Sequence, residues 1–425
     1  MHSVCWTGSN RCHSPCRSRR LLPLETTGMT DQSQMRSRVG LDRRMMLGGL
    51  LGVAFGRFDC CDVQAAEADD KSEIDASAAI KQLVDQAIGE GDLPGAVVCC
   101  AGPGDVHYLE TFGHRWVKPE PVALTKDTIF DLASISKAVS TATSVAMLYQ
   151  DKLIDADLPV KHYLPEFGGR GKDAITIKQC LLHTSGLTPD NALADYLDGP
   201  EVAWEKICGL GLRSEPGAKF AYSDVGFIVL GKLVERVSGM TLDRFATSRL
   251  FKPLAMSDTM YNPPETLRSR IAPTENQGDD WICGRVHDPR SFEMGGVAGH
   301  AGLFSSVDDL VKFGRELLAA SRGESKLIRQ ATLDWMITPH PVPEQQSRGT
   351  RVMGWDHRSP YSRNRGEAFS ERAFGHGGFT GTVLWIDPVK QLVYVFLSSR
   401  LYPDGKGAVN SLAGDIATVL GNRFG

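Results

Sequence analysis

The two ends of this chain mirror one another, and that symmetry constrains the fold more than any other feature. Near the front, Ile80, Leu83, Val84, Ala87 and Ile88 recur at the three-four spacing of one apolar helix face, and Gly91 and Pro94 close the run. Two strand-like segments follow, Ala96 to Ala101 and Val106 to Phe112, joined by Gly102-Pro103-Gly104-Asp105, which has the chemistry of a hairpin turn. At the far end the order reverses. Thr382 to Ile386 and Leu392 to Leu397 read as strands around Asp387-Pro388-Val389-Lys390-Gln391, and a closing helix carries Val409, Leu412, Ala413, Ile416, Val419 and Leu420. Segments so matched are expected to meet in one antiparallel sheet. Between them, residues about 135 to 325 read mainly as helices and loops. Thr176 begins one helix, a second runs from Phe227 to Ser238 before Gly239, and Ser306 caps a third with Asp309 completing a capping box. The expected class is α+β: an antiparallel sheet flanked by terminal helices, with a mostly helical insertion. The sheet lobe is expected over about 75–134 and 325–425, and the helical lobe over about 135–325.

Residues 1–68 stand apart from this pattern. They hold an arginine-rich stretch, the pair Arg43-Arg44, the short apolar run Met45 to Phe55, and Ala66-Glu67-Ala68 as an A-x-A site. A basic region, a short apolar region and a small-residue site read as a twin-arginine-like export signal, which places the body of the chain, residues 69–425, in the periplasm or outside the cell. No apolar run approaches the roughly 20 residues of a membrane-spanning helix. The formal net charge of −4 offers nothing to a nucleic acid. After Ala68 the cysteines are Cys99, Cys100, Cys180, Cys208 and Cys283. Their number is odd and their spacing irregular, so they are expected to be small core residues and not a disulfide framework. Cys99 and Cys100 fall side by side in a strand and point to opposite faces.

The histidines form no H-x-H, H-x-x-x-H or H-E-x-x-H, so a zinc hydrolase is poorly supported. No phosphate-binding glycine loop and no G-x-S-x-G elbow occurs either. What does occur is Ser134-Ile135-Ser136-Lys137, at the start of a helical run from Ser134 to about Tyr149. At i and i+3 the serine and lysine share a face. A serine at a helix N-terminus has the dipole and a backbone N–H to stabilise an oxyanion, and a neighbouring lysine can relay its proton.

Alone, S-x-x-K is a weak signal, but two further elements follow in order. Tyr222-Ser223-Asp224 lies 88 residues on, and His376-Gly377-Gly378-Phe379-Thr380-Gly381 starts 154 residues after that. Together with Leu181 to Leu187 and Gly295 to Ser306, this ordered set resembles the serine β-lactamase and penicillin-binding protein superfamily, in its class C-like branch, over about residues 75–420. The resemblance implies Ser134 as the acylated nucleophile, Lys137 and Tyr222 sharing the proton transfers, and the N–H groups of Ser134 and Phe379 as the oxyanion hole. Gly378, His376 and Asp224 are then substrate-binding positions, and neither a metal nor an organic cofactor is called for.

Departures from the family pattern sharpen the reading. His376 and Gly377 stand where lysine and threonine hold a β-lactam carboxylate, and Asp224 stands where asparagine is usual. A neutral His376 binds no carboxylate well, and an ionised Asp224 favours a charged Lys137, which moves base duty towards Tyr222. The expectation is an exported serine hydrolase, esterase-like or acting on peptidoglycan-related amides. A β-lactamase or D,D-carboxypeptidase, a D-aminopeptidase (with Asp224 on a substrate ammonium) and a non-catalytic binder of cell-wall fragments stay open. Partners are expected to be a small molecule or a cell-wall peptide. His183 and His300 are expected to fix loops, His287-Asp288 to form a turn, and Trp355 and Trp385 to pack.

Overall fold

The structure, a computed structural model, describes residues 62–278, 280–343 and 349–425. The arginine-rich segment and the apolar run 45–55 of the expected signal lie outside the described residues; Ala66–Ala68 falls within the first helix. The helices are α1 Asp62–Glu90, α2 Thr143–Gln150, α3 Ile177–Leu181, α4 Pro200–Cys208, α5 Asp224–Ser238, α6 Leu242–Ala246, α7 Pro289–Glu293, α8 Val307–Ser321, α9 Gln330–Ile337 and α10 Asn410–Phe424. The strands are β1 Gly95–Ala101, β2 Val106–Trp116, β3 Val122–Ala123, β4 Phe130–Asp131, β5 Met260–Tyr261, β6 Asn276–Gln277, β7 Asp280–Trp281, β8 Leu303–Ser305, β9 His340–Pro341, β10 Thr350–Val352, β11 Trp355–Arg358, β12 Phe374–Gly378, β13 Thr382–Asp387 and β14 Leu392–Ser398.

The two ends do meet. Strand β1 pairs antiparallel with β14, Cys99 opposite Val395, and the main sheet runs β3-β2-β1-β14-β13-β12-β11-β10-β9. Its strands divide their side chains between two cores as the two-residue period requires. Ala96, Val98, Cys100, Val383, Trp385, Tyr394 and Phe396 face the terminal helices, where Ile80 and Val84 of α1 meet Ile416 and Leu420 of α10. Val97, Cys99, Leu384, Val393, Val395 and Leu397 face the larger core built with α2, α5 and α8. Cys99 and Cys100 therefore sit in different cores, and all five described cysteines are free. Burial pushes the thiols of Cys99 and Cys180 up to about 12, which leaves them inert as nucleophiles. Trp355 and Trp385 are fully buried packing residues, Trp355 stacked 6.0 Å from Phe313.

The insertion is less purely helical than its sequence suggests. A second sheet, β4-β8-β5, crosses it, with Phe130 opposite Ser305 and Met260 opposite Phe304. These strands are two or three residues long, too short to show alternation, and their pairing is entirely long-range. Helix ends also differ from expectation. α5 begins three residues early because Ser223 caps it, its hydroxyl accepting from Gly226 N at 3.0 Å. Ser306 does precede α8, but its hydroxyl makes no capping bond. Asp309 is instead drawn to the loop before β5, accepting from Asp258 N at 2.7 Å and the Thr259 hydroxyl at 3.0 Å. Thr176 forms the full capping box with Gln179.

Candidate active site

The site begins where β4 stops. Asp131 is buried, and its carboxylate accepts from Ala133 N at 2.8 Å and His287 N at 2.7 Å. Burial pushes its carboxyl up, against the pull of these two N–H groups. The turn it holds is strained, since Ala133 sits at φ +45° in the left-handed region. Ser134 follows at the head of the helix, whose first turn is a π turn over Lys137–Ala142 before α2. A local π turn rotates the face that carries Lys137, and such turns recur at functional sites.

Lys137 is 1% exposed, and its Nζ lies 3.1 Å from Ser134 Oγ, 2.9 Å from the His300 carbonyl oxygen and 2.7 Å from Asp224 Oδ1. The Tyr222 ring centroid lies 5.1 Å from the same nitrogen. Burial drives the ammonium towards neutrality, yet the charge of Asp224 and the hydrogen bonds that Lys137 donates to Asp224 and Tyr222 outweigh it, and the net direction is upward. Asp224 moves the other way. Burial raises it, but Lys137 and His300 hold it below the ordinary carboxylate range. In its charged form Lys137 donates to Ser134 Oγ and has no lone pair for the serine proton.

Tyr222 is set by what lies behind it. The imidazole of His183 stacks on its ring at 4.3 Å, and His183 Nδ1 accepts from Ser223 N at 2.9 Å, which ties down the Tyr222-Ser223-Asp224 segment. Burial first, then Arg351 and Lys137, hold His183 neutral, well below its ordinary value. His300 gives its carbonyl to Lys137 and its Nε2 to Asp288 Oδ1 at 2.9 Å. Both histidines therefore fix loops. Asp288 caps α7 through Ser291 N at 2.8 Å, and His287 bonds Glu275 at 2.9 Å and stacks on the Phe379 ring at 5.7 Å. Asp224, Asp288 and His300 are the one group among the described residues close enough to share a cation. The Lys137 ammonium already occupies Asp224, and His300 and Ser291 occupy Asp288.

The opposite wall is β12 and the turn into β13. Gly378 is required there by close approach: a Cβ would lie 2.4 Å from Leu132 O and 2.2 Å from Thr382 Oγ1. The turn is stitched to the Ser134 loop by the Thr380 hydroxyl on Asp131 O at 2.7 Å and the Thr382 hydroxyl on Leu132 O at 3.2 Å. These bonds fix the backbone of Phe379 against that of Ser134, and Phe379 turns its ring outward, 58% exposed. Ser134, Tyr222, His376, Gly378 and Phe379 line one cavity of about 390 Å³.

His376 is buried, and burial, Arg351 and Lys137 together bring its imidazole down to about 3. It stands in the wall as a neutral ring, as its position near Lys137 implies. Gly377 has a reason the sequence does not display. A Cβ there would lie 2.5 Å from Asn364 Nδ2, so the Asn364 amide fills the space a threonine side chain would use. Asn364, Arg351, Tyr361 and Arg400 line the same cavity, and sequence reading missed all four. Each is a lone polar residue outside any motif, and only the folding of β10, β11 and β14 brings them to Ser134.

A half-buried serine in contact with a buried lysine at a helix start, a tyrosine over the lysine, and a glycine-rich strand facing them make up the serine site of a β-lactamase-type hydrolase fold. The chain belongs to the Beta-lactamase family, whose model matches residues 80–418. It is 31% identical over 359 residues to an N-acetylmuramyl-L-alanine amidase of Bacillus subtilis, covering 76% of this chain and 80% of that one. It is 31% identical over 311 residues to an Escherichia coli protein named as a candidate D-alanyl-D-alanine carboxypeptidase, covering 66% and 71%. Among solved structures it superposes on EstCE1, a hydrolase with promiscuous acyltransferase activity, at a TM-score of 0.66 and 21% identity, covering 84% of this chain and 99% of that one. That likeness is one of fold.

Proposed function

We propose that this serine hydrolase works through an acyl-Ser134 intermediate and cleaves peptidoglycan-related amides, with simple esters as accessible substrates. The observation that carries the reading is the contact of Ser134 Oγ with a Lys137 ammonium that Asp224 keeps charged. In this mechanism Ser134 Oγ attacks the carbonyl carbon while its proton passes to the Tyr222 oxygen. The Tyr222 hydroxyl proton passes in turn to the departing nitrogen or oxygen, so neither step needs a free base. Lys137 stays protonated throughout and holds the serine and tyrosine oxygens in place. The N–H groups of Ser134 and Phe379 receive the oxyanion. Water then attacks the acyl carbon, giving its proton to Tyr222 as Tyr222 returns one to Ser134.

The amide reading is supported by the 31% identity to a protein named as an amidase that acts on N-acetylmuramyl-L-alanine. The neutral His376 and the Asn364 amide in place of a threonine speak against the β-lactam reading. The twin-arginine-like segment supports export from the cytoplasm to the compartment in which peptidoglycan-related substrates would be met. No helix among the described residues is long and apolar enough to cross a membrane. The test is turnover of a muropeptide digest and of p-nitrophenyl acetate, with a chromogenic cephalosporin in parallel, by the protein and by Ser134→Ala. Serine-dependent loss of muropeptide amides with little cephalosporin cleavage is the expected result. Cephalosporin cleavage faster than both would replace this reading with a β-lactamase.

A further inference from the structure

An oxyanion hole needs two N–H groups aimed at one point, and here one of them sits on a loop with little packing of its own. Residues 379–381 join β12 to β13, and Gly381 N closes the turn by donating to Gly378 O at 3.0 Å. Gly381 takes φ +103°, the left-handed conformation that a three-residue hairpin loop requires at its last position. The Phe379 ring is 58% exposed, so the core does not anchor it. Among the described residues nothing accepts from Phe379 N or from Ser134 N. Two donors without a protein acceptor, on segments stitched together, suit an oxygen that gains charge during the reaction.

Arg400, two residues beyond β14, braces this loop from behind. Its Nε donates to Phe379 O and its Nη1 to Gly407 O, each at 2.6 Å. Its backbone N donates to Thr380 O at 3.0 Å, and its guanidinium carbon lies 4.4 Å from the centre of the Phe379 ring. Gly407 N returns a bond to Arg400 O at 3.2 Å, which closes residues 400–407 into a loop of their own. Ser398 adds its N and its hydroxyl to Gly381 O, at 3.2 and 2.8 Å. The guanidinium is half-buried, and no carboxylate pairs with it among the described residues; burial is the influence on its ionisation, and it acts downward. Ion pairing therefore does not explain its place. A planar fork that spans two carbonyls and lies on an aromatic ring does.

From this arrangement we infer that Arg400 is a positioning residue for acyl transfer: by holding the Phe379 carbonyl and lying on the Phe379 ring, it fixes the direction of the Phe379 N–H that receives the oxyanion. The inference rests on the acyl-Ser134 reading and deepens it. The Phe379 carbonyl belongs to the central peptide of the turn, the unit that rotates when such a turn changes type. The Thr380 and Thr382 hydroxyls tie the loop to Asp131 and Leu132 but leave that carbonyl to Arg400. Without the guanidinium the loop can keep its closing bond and still turn Phe379 away from Ser134. Lysine is no equivalent, because an ammonium is a point of contact with no plane to lie on the ring.

The test uses the full chain with p-nitrophenyl acetate as substrate and phenylboronic acid as probe, which adds to a reactive serine as a tetrahedral adduct with an oxygen in the oxyanion position. Arg400→Met should lower kcat by about tenfold, the range of one hydrogen bond from a charged donor, with KM little changed. Phenylboronic acid should bind more weakly by a similar factor. A merely structural role would reduce the active fraction, and with it kcat, but would leave the boronic acid affinity of the remaining enzyme untouched. Arg400→Lys keeps the charge and serves as the second variant should the first fold poorly; kcat and boronic acid affinity should each fall at least about threefold. Wild-type values for both in Arg400→Lys would reduce the contribution to charge and overturn the positioning role. Unchanged boronic acid affinity in both variants would overturn it too. Failure of the underlying reading is separate: turnover at wild-type rate by Ser134→Ala refutes the acyl-serine mechanism and the role of Arg400 with it, whereas serine-dependent turnover with indifferent Arg400 variants removes the positioning role alone.

Discussion

Replacing Asp224 with asparagine tests the electrostatic centre of the site. Asp224 Oδ1 and Lys137 Nζ are 2.7 Å apart, with the lysine 1% and the aspartate 27% exposed. At an effective dielectric of about 20, that separation corresponds to an attraction of about 6 kcal/mol. It is the largest of the influences that let the ammonium survive burial, for in the wild type burial pulls Lys137 down and Asp224, together with Tyr222, more than restores it. In Asp224→Asn the restoring charge is gone and burial dominates, so Lys137 loses its proton at a lower pH in the folded protein than in the unfolded chain. Breaking a buried pair costs about 3–5 kcal/mol near neutral pH. The sign with pH follows from linkage. A lysine depressed by folding costs stability below its unfolded value, so the deficit shrinks as pH rises towards about 10, by up to about 1.4 kcal/mol per unit. Urea unfolding at several pH values reads this directly. Kinetics give the sharper outcome. If Lys137 works as a cation, kcat/KM of Asp224→Asn falls as pH rises through the new ionisation, a limb the wild type lacks. A rising limb would make Lys137 the base, and superimposable profiles would refute the electrostatic argument.

Three other outcomes follow from the wall opposite. Gly377→Thr must displace the Asn364 amide, whose Oδ1 accepts from the buried Trp385 Nε1 at 3.0 Å, and should destabilise by about 2 kcal/mol; the cost should be less than additive with Asn364→Ala, and full additivity in urea unfolding would count against it. His376, brought down to about 3 by burial, Arg351 and Lys137, binds its proton only in the unfolded chain between that pH and about 6.5, so its contribution is lost as pH falls through this window. Unfolding free energies of His376→Asn should therefore lose about 1.4 kcal/mol per pH unit less than the wild type between pH 6 and 4, and parallel curves would contradict the assignment. Thr380→Val removes the 2.7 Å bond to Asp131 O that joins the Phe379 turn to the Ser134 loop; kcat should fall by about tenfold, the equivalent of one such bond, with KM little changed.

Much of this was legible beforehand because the signals are local. Apolar spacing in α1 and α10 and the turn residues of two hairpins gave the sheet its ends, and the two-residue period of a strand put Cys99 and Cys100 on opposite faces. Ser134, Lys137 and Tyr222 announce themselves through short motifs in a fixed order. What escaped is long-range. The strands β4, β5 and β8 carry no period of their own, and Asp309 looked like a capping residue until the loop at Asp258–Thr259 claimed its carboxylate. Arg351 is a single charge in a three-residue strand, and Asn364 a single amide in a polar 3-10 turn. Their meaning lies in what they face across the cavity, and spacing along the chain cannot express that.

The most direct measurement is the intact mass of the protein quenched during turnover of p-nitrophenyl acetate, followed by peptide mapping. The account requires a mass increase equal to the acyl group, located on the peptide containing Ser134 and absent from Ser134→Ala. Turnover at wild-type rate by Ser134→Ala, or an acyl group found on any other residue, would contradict it.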